Sequence, residues 1–342
     1  MKTTRKVLIL MLAAFLALYV PWGCGSNDNR VAFFIYDEND TFLSELMAEM
    51  DRLIPPGIAT DVRYAGNSQA VQNQQILEIA KSGVKLFVIN AVDRLACHSI
   101  VEMCLDRGID VIFFNREPLE DAMKGENIYY VGAAANNLGE MQAEMVDALF
   151  GGYFVGGPYD KNRDGVVQLA IIKGEQGHQD AEKRTDNCVS RLRDLGLEAE
   201  VLGIEVANWN RKNAYEAMER LYAQHGELIE LLFANNDDMA LGAIDYLLEA
   251  GIFSPSAGTA GQPFVVVGVD GTAVGLDMIG RGLLYGTVLN DSAKQADAIV
   301  RLIQHLINGV EISDFPYEIT NGHYVYIDGE TITQANLSQY TQ

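Results

Sequence analysis

Apolar residues in this chain gather in short unbroken runs separated by stretches of helical spacing. The runs at 31–36, 61–64, 85–90, 110–115 and 128–131 are strand-length. Between them, 43–53, 69–81 and 95–107 carry apolar residues at helical intervals. The pattern then starts again. Strand runs at 167–173, 198–204, 231–234, 264–269 and 286–289 alternate with helical patterns at 181–195, 212–224, 240–250 and 274–280. A last helix over 292–307 carries Ala296, Ile299, Val300, Ile303, Leu306 and Ile307 on one face, with Gly309 as its stop. Strands alternating with helices at about 25-residue intervals predict βαβ units and parallel sheets. The restart predicts two similar doubly wound α/β halves of roughly 110–150 residues each. No low-complexity linker divides them, so the chain is expected to cross by short hinge strands.

Composition and charge narrow the class. The chain has 342 residues, 49% hydrophobic and 21% charged, which suits a soluble globular protein with an ample core. A formal charge of −22 argues against nucleic acid or an anionic membrane surface as partner. It suits a neutral or cationic ligand and a bound divalent cation.

The first residues read as a signal peptide. Lys2, Arg5 and Lys6 precede an apolar run of 14 residues, 7–20, too short for a comfortable membrane span. Gly23-Cys24-Gly25 follows, similar to a lipoprotein processing site, with Pro21 and Trp22 departing from the usual pattern. Cleavage before Cys24 and lipid attachment there are the expectation, with simple cleavage as the alternative. The remaining cysteines, Cys97, Cys104 and Cys188, read as buried small hydrophobes. No Cys/His spacing suggests zinc.

Polar residues stand at strand ends. Asn115, Asn235-Asn236-Asp237, Asp270 and Asn290-Asp291 each close an apolar run. In open parallel sheets, ligands bind at the carboxyl ends of strands. Helix N-capping is the competing role, strongest for Asp237 and Asp291. Trp209 lies between Asn208 and Asn210, and Phe42 follows Asp40 in the first strand–helix loop. Aromatic plates with amides and acids around them suit a sugar, which shows hydroxyls at its rim and C–H patches on its faces. Phe42 also suits a first-turn helix anchor. Asp180 and Arg184 are four apart and share a helix face beside His178. They could form a claw for neighbouring hydroxyls or a plain surface ion pair.

A separate loop carries metal-ligand spacing. Asp160, Asn162, Asp164 and Gln168 occupy positions 1, 3, 5 and 9 of a calcium-type loop, with Gly165 at position 6. Position 12 is Ile171, so a further carboxylate has to come from elsewhere; an Asx-rich surface turn is the alternative.

The order Asp40-x-Phe42, Phe-Phe-Asn115-Arg-Glu-Pro, Lys-Gly-Glu-x-Gly-His178-x-Asp180-Ala-Glu-x-Arg184, Trp209, Asn-Asn236-Asp, Val-Asp270 and Leu-Asn290-Asp resembles the D-galactose/D-glucose-binding proteins of bacterial ABC importers, from about Val31 onwards. The resemblance implies a type I periplasmic-binding-protein fold whose two hinged lobes close on one pyranose. Phe42 and Trp209 would sandwich the ring. Asp40, Asn115, His178, Asp180, Arg184, Asn236, Asp270 and Asn290 would bond its hydroxyls and ring oxygen. The resemblance also implies structural calcium held by Asp160, Asn162, Asp164, Gln168, the Val166 carbonyl and Glu230.

On this reading 1–23 is the signal peptide and 24–30 a tether. Residues 31–132 with 290–322 form the first lobe, and 133–289 with 323–342 the second. The partners implied are a hexose, an ABC permease and, as a second possibility, a chemoreceptor; a monomer is expected. An enzyme would need an activated nucleophile or cofactor fingerprint, and none is seen. A regulator of the same architecture would need a helix-turn-helix and a basic surface.

Overall fold

The computed structural model describes residues 29–151 and 154–341. The expected signal segment and Cys24 therefore lie outside the described residues. In the first lobe, β1 (Arg30–Ile35), β2 (Ala59–Tyr64), β3 (Leu86–Ile89), β4 (Asp110–Phe114), β5 (Ile128–Ala133) and β11 (Tyr324–Ile327) form one sheet in the order β11-β5-β4-β3-β1-β2. In the second, β6 (Val166–Lys173), β7 (Glu198–Val206), β8 (Leu231–Ala234), β9 (Val265–Asp270), β10 (Gly286–Leu289) and β12 (Glu330–Thr333) follow the order β12-β10-β9-β8-β6-β7. The first five strands of each lobe share one winding, so the chain is an internal repeat at the level of fold.

The helices are α1 (Thr41–Leu53), α2 (Gln69–Ala80), α3 (Cys97–Leu105), α4 (Ala135–Phe150), α5 (Gln179–Asp194), α6 (Arg211–His225), α7 (Asp237–Glu249), α8 (Ala273–Gly280) and α9 (Ser292–Asn308). Their starts follow from side chains that accept the otherwise unpartnered first-turn N–H groups. Asp40 accepts from Leu43, Ser68 from Val71, Asn210 from Asn213, Asn236 from Met239 and Asp291 from Lys294. Asp237 was the expected cap of α7, but Asn236 takes that place and Asp237 is fully buried behind it. Gly309 ends α9 in a left-handed conformation, and its N–H bonds the His305 carbonyl.

The sheets are covered on both faces, as parallel sheets require. Phe33, Ile35, Leu86 and Phe114 pack on one face of the first sheet with Leu46 of α1 and Ile299 and Ile303 of α9. Phe34, Phe87, Ile89 and Phe113 pack on the other with Ile76 of α2 and Ile100 and Cys104 of α3. Cys97, Cys104 and Cys188 are buried free thiols, and burial pushes Cys97 and Cys104 up to about 12. Each buried Leu, Ile or Phe of such layers contributes about 1.5–3 kcal/mol.

Three crossings join the lobes, and all lie at the carboxyl ends of strands. β5 ends at Ala133 and α4 begins at Ala135; β10 ends at Leu289 and α9 begins at Ser292; β11 ends at Ile327 and β12 begins at Glu330. The third crossing corrects the expected lobe limits. Residues 323–327 belong to the first lobe, because β11 pairs in parallel with β5 and buries Val325 and Ile327 in the first-lobe core. A strand that crosses from the cleft edge must run away from it, so β12 lies antiparallel to β10.

Helix α4 escaped the periodicity reading, although it packs broadly against α5. Its close approach depends on Gly139: a methyl group there would stand 2.8 Å from the Arg184 carbonyl oxygen. Gly139→Ala is therefore expected to cost about 1–3 kcal/mol in urea unfolding. An unchanged unfolding midpoint would show that the two helices can separate freely.

Candidate functional site

The carboxyl ends of both sheets face each other across one small cleft. Its walls are Tyr36, Asp40, Phe42, Asn115, Arg116, His178, Asp180, Arg184, Trp209, Asn236, Asp270 and Asn290, around a cavity of about 30 Å³. That is below the range of open ligand sites, so the walls stand close together. The ten residues expected to contact a sugar all line this cleft. Tyr36 and Arg116 were not anticipated, although each adjoins a strand end and Arg116 directly follows Asn115.

The lobes meet closely over the cleft. Thr41 Oγ1 donates to Asp238 Oδ2 at 2.6 Å, and Arg116 Nη2 donates to Glu175 Oε2 at 2.9 Å. Gln179 Nε2 donates to Glu117 Oε2 beside them. This is a closed arrangement, with α1 and the loop after β4 pressed on the second lobe.

Several lining residues are helix caps as well. Asp40 accepts from Leu43 N with one oxygen and from the Tyr36 hydroxyl with the other, at 2.9 and 2.6 Å. Asn236 spends Oδ1 on Met239 N, which leaves its amide N–H groups for the cleft. His178 accepts from Asp180 N through Nδ1 at 3.1 Å. Burial first, then Arg116, Arg184 and Arg94, hold this imidazole well below its usual pKa. The ring is thus neutral, with its proton on Nε2 as a donor.

Arg184 organises the second-lobe wall. It is 3% exposed, and its guanidinium reaches the Asn235 carbonyl at 2.7 Å, Asp180 at 3.1 Å and Asp270 at 3.9 Å. The Asp180–Arg184 pair is therefore buried; it is not a solvated surface bridge. Burial pushes the Asp180 and Asp270 carboxyls up, and Arg184 opposes it in both. Asn290 Nδ2 donates to Asp270 at 3.3 Å, and Gln295 fixes Asn290 from behind at 2.6 Å.

The aromatic walls come from opposite lobes. Phe42 is 5% exposed and packs in the first-lobe core as a first-turn anchor of α1 as well as lining the cleft. Trp209 adopts φ +62°, and its ring meets His178 edge-on at 5.0 Å. Gly174 makes room for it, since a methyl group there would lie 2.4 Å from the indole. Asn115 at φ +59° and Asp270 at φ +123° are held in uncommon backbone conformations too. Such strain collects at ligand sites because surrounding contacts impose it. For Asn115 the restraint is Asn90, whose amide donates to Asn115 Oδ1 at 3.0 Å.

Away from the cleft, the calcium-type loop is assembled as a compact oxygen-rich turn. Asp160 and Glu230 are 2% and 1% exposed. Glu230 accepts from Lys161 N at 2.7 Å and Gln168 N at 3.0 Å, which brings it onto the loop. Burial raises its pKa, and Asp160 adds to that. The Asn162 and Gln168 amides donate to Asp164 Oδ2 at 2.7 and 2.8 Å. Among the described residues no group of three or more His, Cys, Asp or Glu side chains suffices to hold a metal. The loop has to be judged with its amide and carbonyl oxygens. Both amide oxygens already lie within it: Asn162 Oδ1 accepts from Asp164 N at 3.0 Å and Gln168 Oε1 from Asn162 Nδ2 at 3.3 Å.

The family model described as a periplasmic binding protein domain matches residues 31–311. The chain belongs to the periplasmic binding protein family. It is 32% identical over 310 residues to the D-galactose/methyl-galactoside binding periplasmic protein MglB of Haemophilus influenzae, covering 89% of this chain and 90% of that protein. The ribose import binding protein RbsB of Escherichia coli is 25% identical over 83% of this chain and 86% of its own length. Among solved structures, an ABC transporter solute binding protein from Bacillus halodurans with bound myo-inositol has a TM-score of 0.75 at 25% identity, covering 92% and 97% of the two chains.

Behind the cleft, Asp237 ties three elements of this periplasmic binding protein together. Its carboxylate accepts from Thr287 Oγ1 at 2.7 Å, Thr272 N at 2.8 Å and Thr272 Oγ1 at 3.1 Å. Burial still pushes it up to about 7. A carboxyl raised on folding contributes stability that is complete below its unfolded pKa of about 4 and is lost as pH rises through the folded value. In urea unfolding, the advantage of wild type over Asp237→Asn should therefore shrink between about pH 4 and pH 7. A difference independent of pH would contradict the assignment.

Proposed function

We propose that this protein captures D-galactose or D-glucose outside the cytoplasm, by closure of its two lobes, and delivers it to an ABC permease. The observation that carries the reading is the cleft itself. Two aromatic rings from opposite lobes share it with acid, amide, guanidinium and imidazole groups, all ten expected positions among them. A pyranose offers C–H faces to the rings and hydroxyls that both donate and accept. Asp180, Asp270 and Asp40 can each take a pair of hydroxyl donors, while Arg184, His178, Asn236 and Asn290 carry N–H groups to return them. Hydroxyl donors would also offset the burial that raises the Asp180 and Asp270 carboxyls. The galactose-binding relative supports the hexose; the inositol- and ribose-binding relatives have other ligands and support only a small polyol or sugar.

The same geometry favours binding without reaction. Asp180 and Asp270 are held by Arg184, and Asp40 caps a helix, so each acid is fixed as an acceptor. Delivery to a permease follows from the family's transport role, and attachment at Cys24 would keep the protein at the membrane surface.

Calcium is proposed as a structural ion of the second lobe. The donor chemistry fits a hard cation: Asp160, Asp164 and Glu230 carboxylates, Asn162 and Gln168 amide oxygens, and the Val166 carbonyl. Asp160 and Glu230 are buried, and Asp160 adds to the burial that raises the Glu230 carboxyl. Calcium would cancel that repulsion when bound.

Calorimetry with a monosaccharide panel is the direct test, and D-galactose or D-glucose should bind with micromolar or tighter affinity, about −8 kcal/mol or better. Trp209→Ala should weaken that sugar at least tenfold, about 1.4 kcal/mol, with an unchanged circular dichroism spectrum. Retained affinity would remove the stacking role. Chelation should lower the melting temperature and added calcium restore it. Identical melting curves in both would dismiss the ion.

A further inference from the structure

A second void opens beside the sugar cleft. Its volume is about 560 Å³, within the range of small-ligand sites. It spans both lobes, and Arg116 and His178 belong to its walls and to those of the sugar cleft. Arg116 forms the partition. Its guanidinium lies 3.8 Å over the Tyr36 ring, bonds the Val92 carbonyl at 2.6 Å and reaches Glu175 at 2.9 Å.

The walls of this void hold polar atoms with nothing to bond. Arg116 is 5% exposed and its Nε–H has no partner. Gln179 is 8% exposed; its amide nitrogen serves Glu117, but its Oε1 accepts nothing. Arg94 Nε–H is buried and unpartnered as well. Buried polar atoms are nearly always satisfied, so three on side chains that line one void leave partners to be supplied by ordered water or, once those side chains turn toward it, by a bound group. The set holds donors and an acceptor, as hydroxyls require. Leu95, 68% exposed, and Leu119 add apolar surface. Asp93, Glu117 and Glu175 outnumber the two arginines by one, so the lining rejects an anion and suits an uncharged group.

We propose that this void is a subsite for a second sugar unit, so that the protein accepts neutral disaccharides whose substituent passes between Arg116 and His178. The inference rests on the sugar-binding reading of the neighbouring cleft. A glycosidic substituent would keep the first ring between Phe42 and Trp209 and bring its own hydroxyls to Arg94, Arg116 and Gln179.

The test is calorimetry of the wild-type chain with D-galactose and D-glucose, then with lactose, melibiose, maltose and cellobiose. At least one disaccharide should bind within tenfold of the better monosaccharide. Leu95→Trp, which fills the void from an exposed position, and Arg94→Ala, which removes a wall group, should each weaken that disaccharide at least fivefold. Monosaccharide affinity should stay within twofold in both variants. A protein that binds a monosaccharide but none of the four disaccharides overturns the subsite, as does a disaccharide indifferent to both variants. Failure to bind any monosaccharide or disaccharide would overturn the sugar reading itself, and the subsite with it.

Discussion

The buried guanidinium of Arg184 is the constraint on which the cleft depends. A cation 97% out of water is tolerable only when its charge and N–H groups are matched. Asp180 on the same helix, the Asn235 carbonyl at the end of β8 and Asp270 at the end of β9 supply that match. Helix α5 and two strand ends are thereby locked in register. The arrangement aligns the acids at the mouth of the sheet, where ligand hydroxyls can reach them. Removing any one member would strand the others, so the wall acts as a unit.

The fold makes this economical. Parallel strands end at one edge, each next helix begins there, and its first turn needs an acceptor. A short polar side chain at that junction caps the helix and faces the cleft together. Asp40, His178 and Asn236 do both. Because all three crossings lie at the same edge, the lobes can part and close while each keeps its own core. The hydrogen bonds across the cleft, Thr41 with Asp238, Arg116 with Glu175 and Gln179 with Glu117 among them, are polar, as a reversible closure needs.

Much of this was legible in the sequence because buried parallel strands are nearly continuous apolar runs, and their ends are marked by Asn or Asp. What escaped had weaker local signals. Helix α4 starts after Ala134, which offers no side-chain cap, and its buried face interrupts Leu138, Met145, Val146 and Phe150 with Gly139 and Gln142. β11 and β12 are four residues each, and their lobe is fixed by partners far away in sequence. The choice of Asn236 over Asp237 as cap was hidden because both residues suit the position; burial of Asp237 against Thr272 and Thr287 decides it. Tyr36 and Arg116 also adjoin strand ends, but neither is an Asn or Asp, and the two pack on one another within the first lobe, which no local spacing encodes.

Trp209 gives the central claim its own reporter. Trp22 and Trp209 are the two tryptophans of the sequence, so a chain starting at Cys24 emits from Trp209 alone. Titration of that chain with D-galactose and D-glucose, followed by intrinsic fluorescence, should give a saturable change in emission as the indole is covered by the sugar and the opposite lobe. Constant emission at concentrations that saturate heat release would place the sugar elsewhere and contradict closure around a ring held at Trp209.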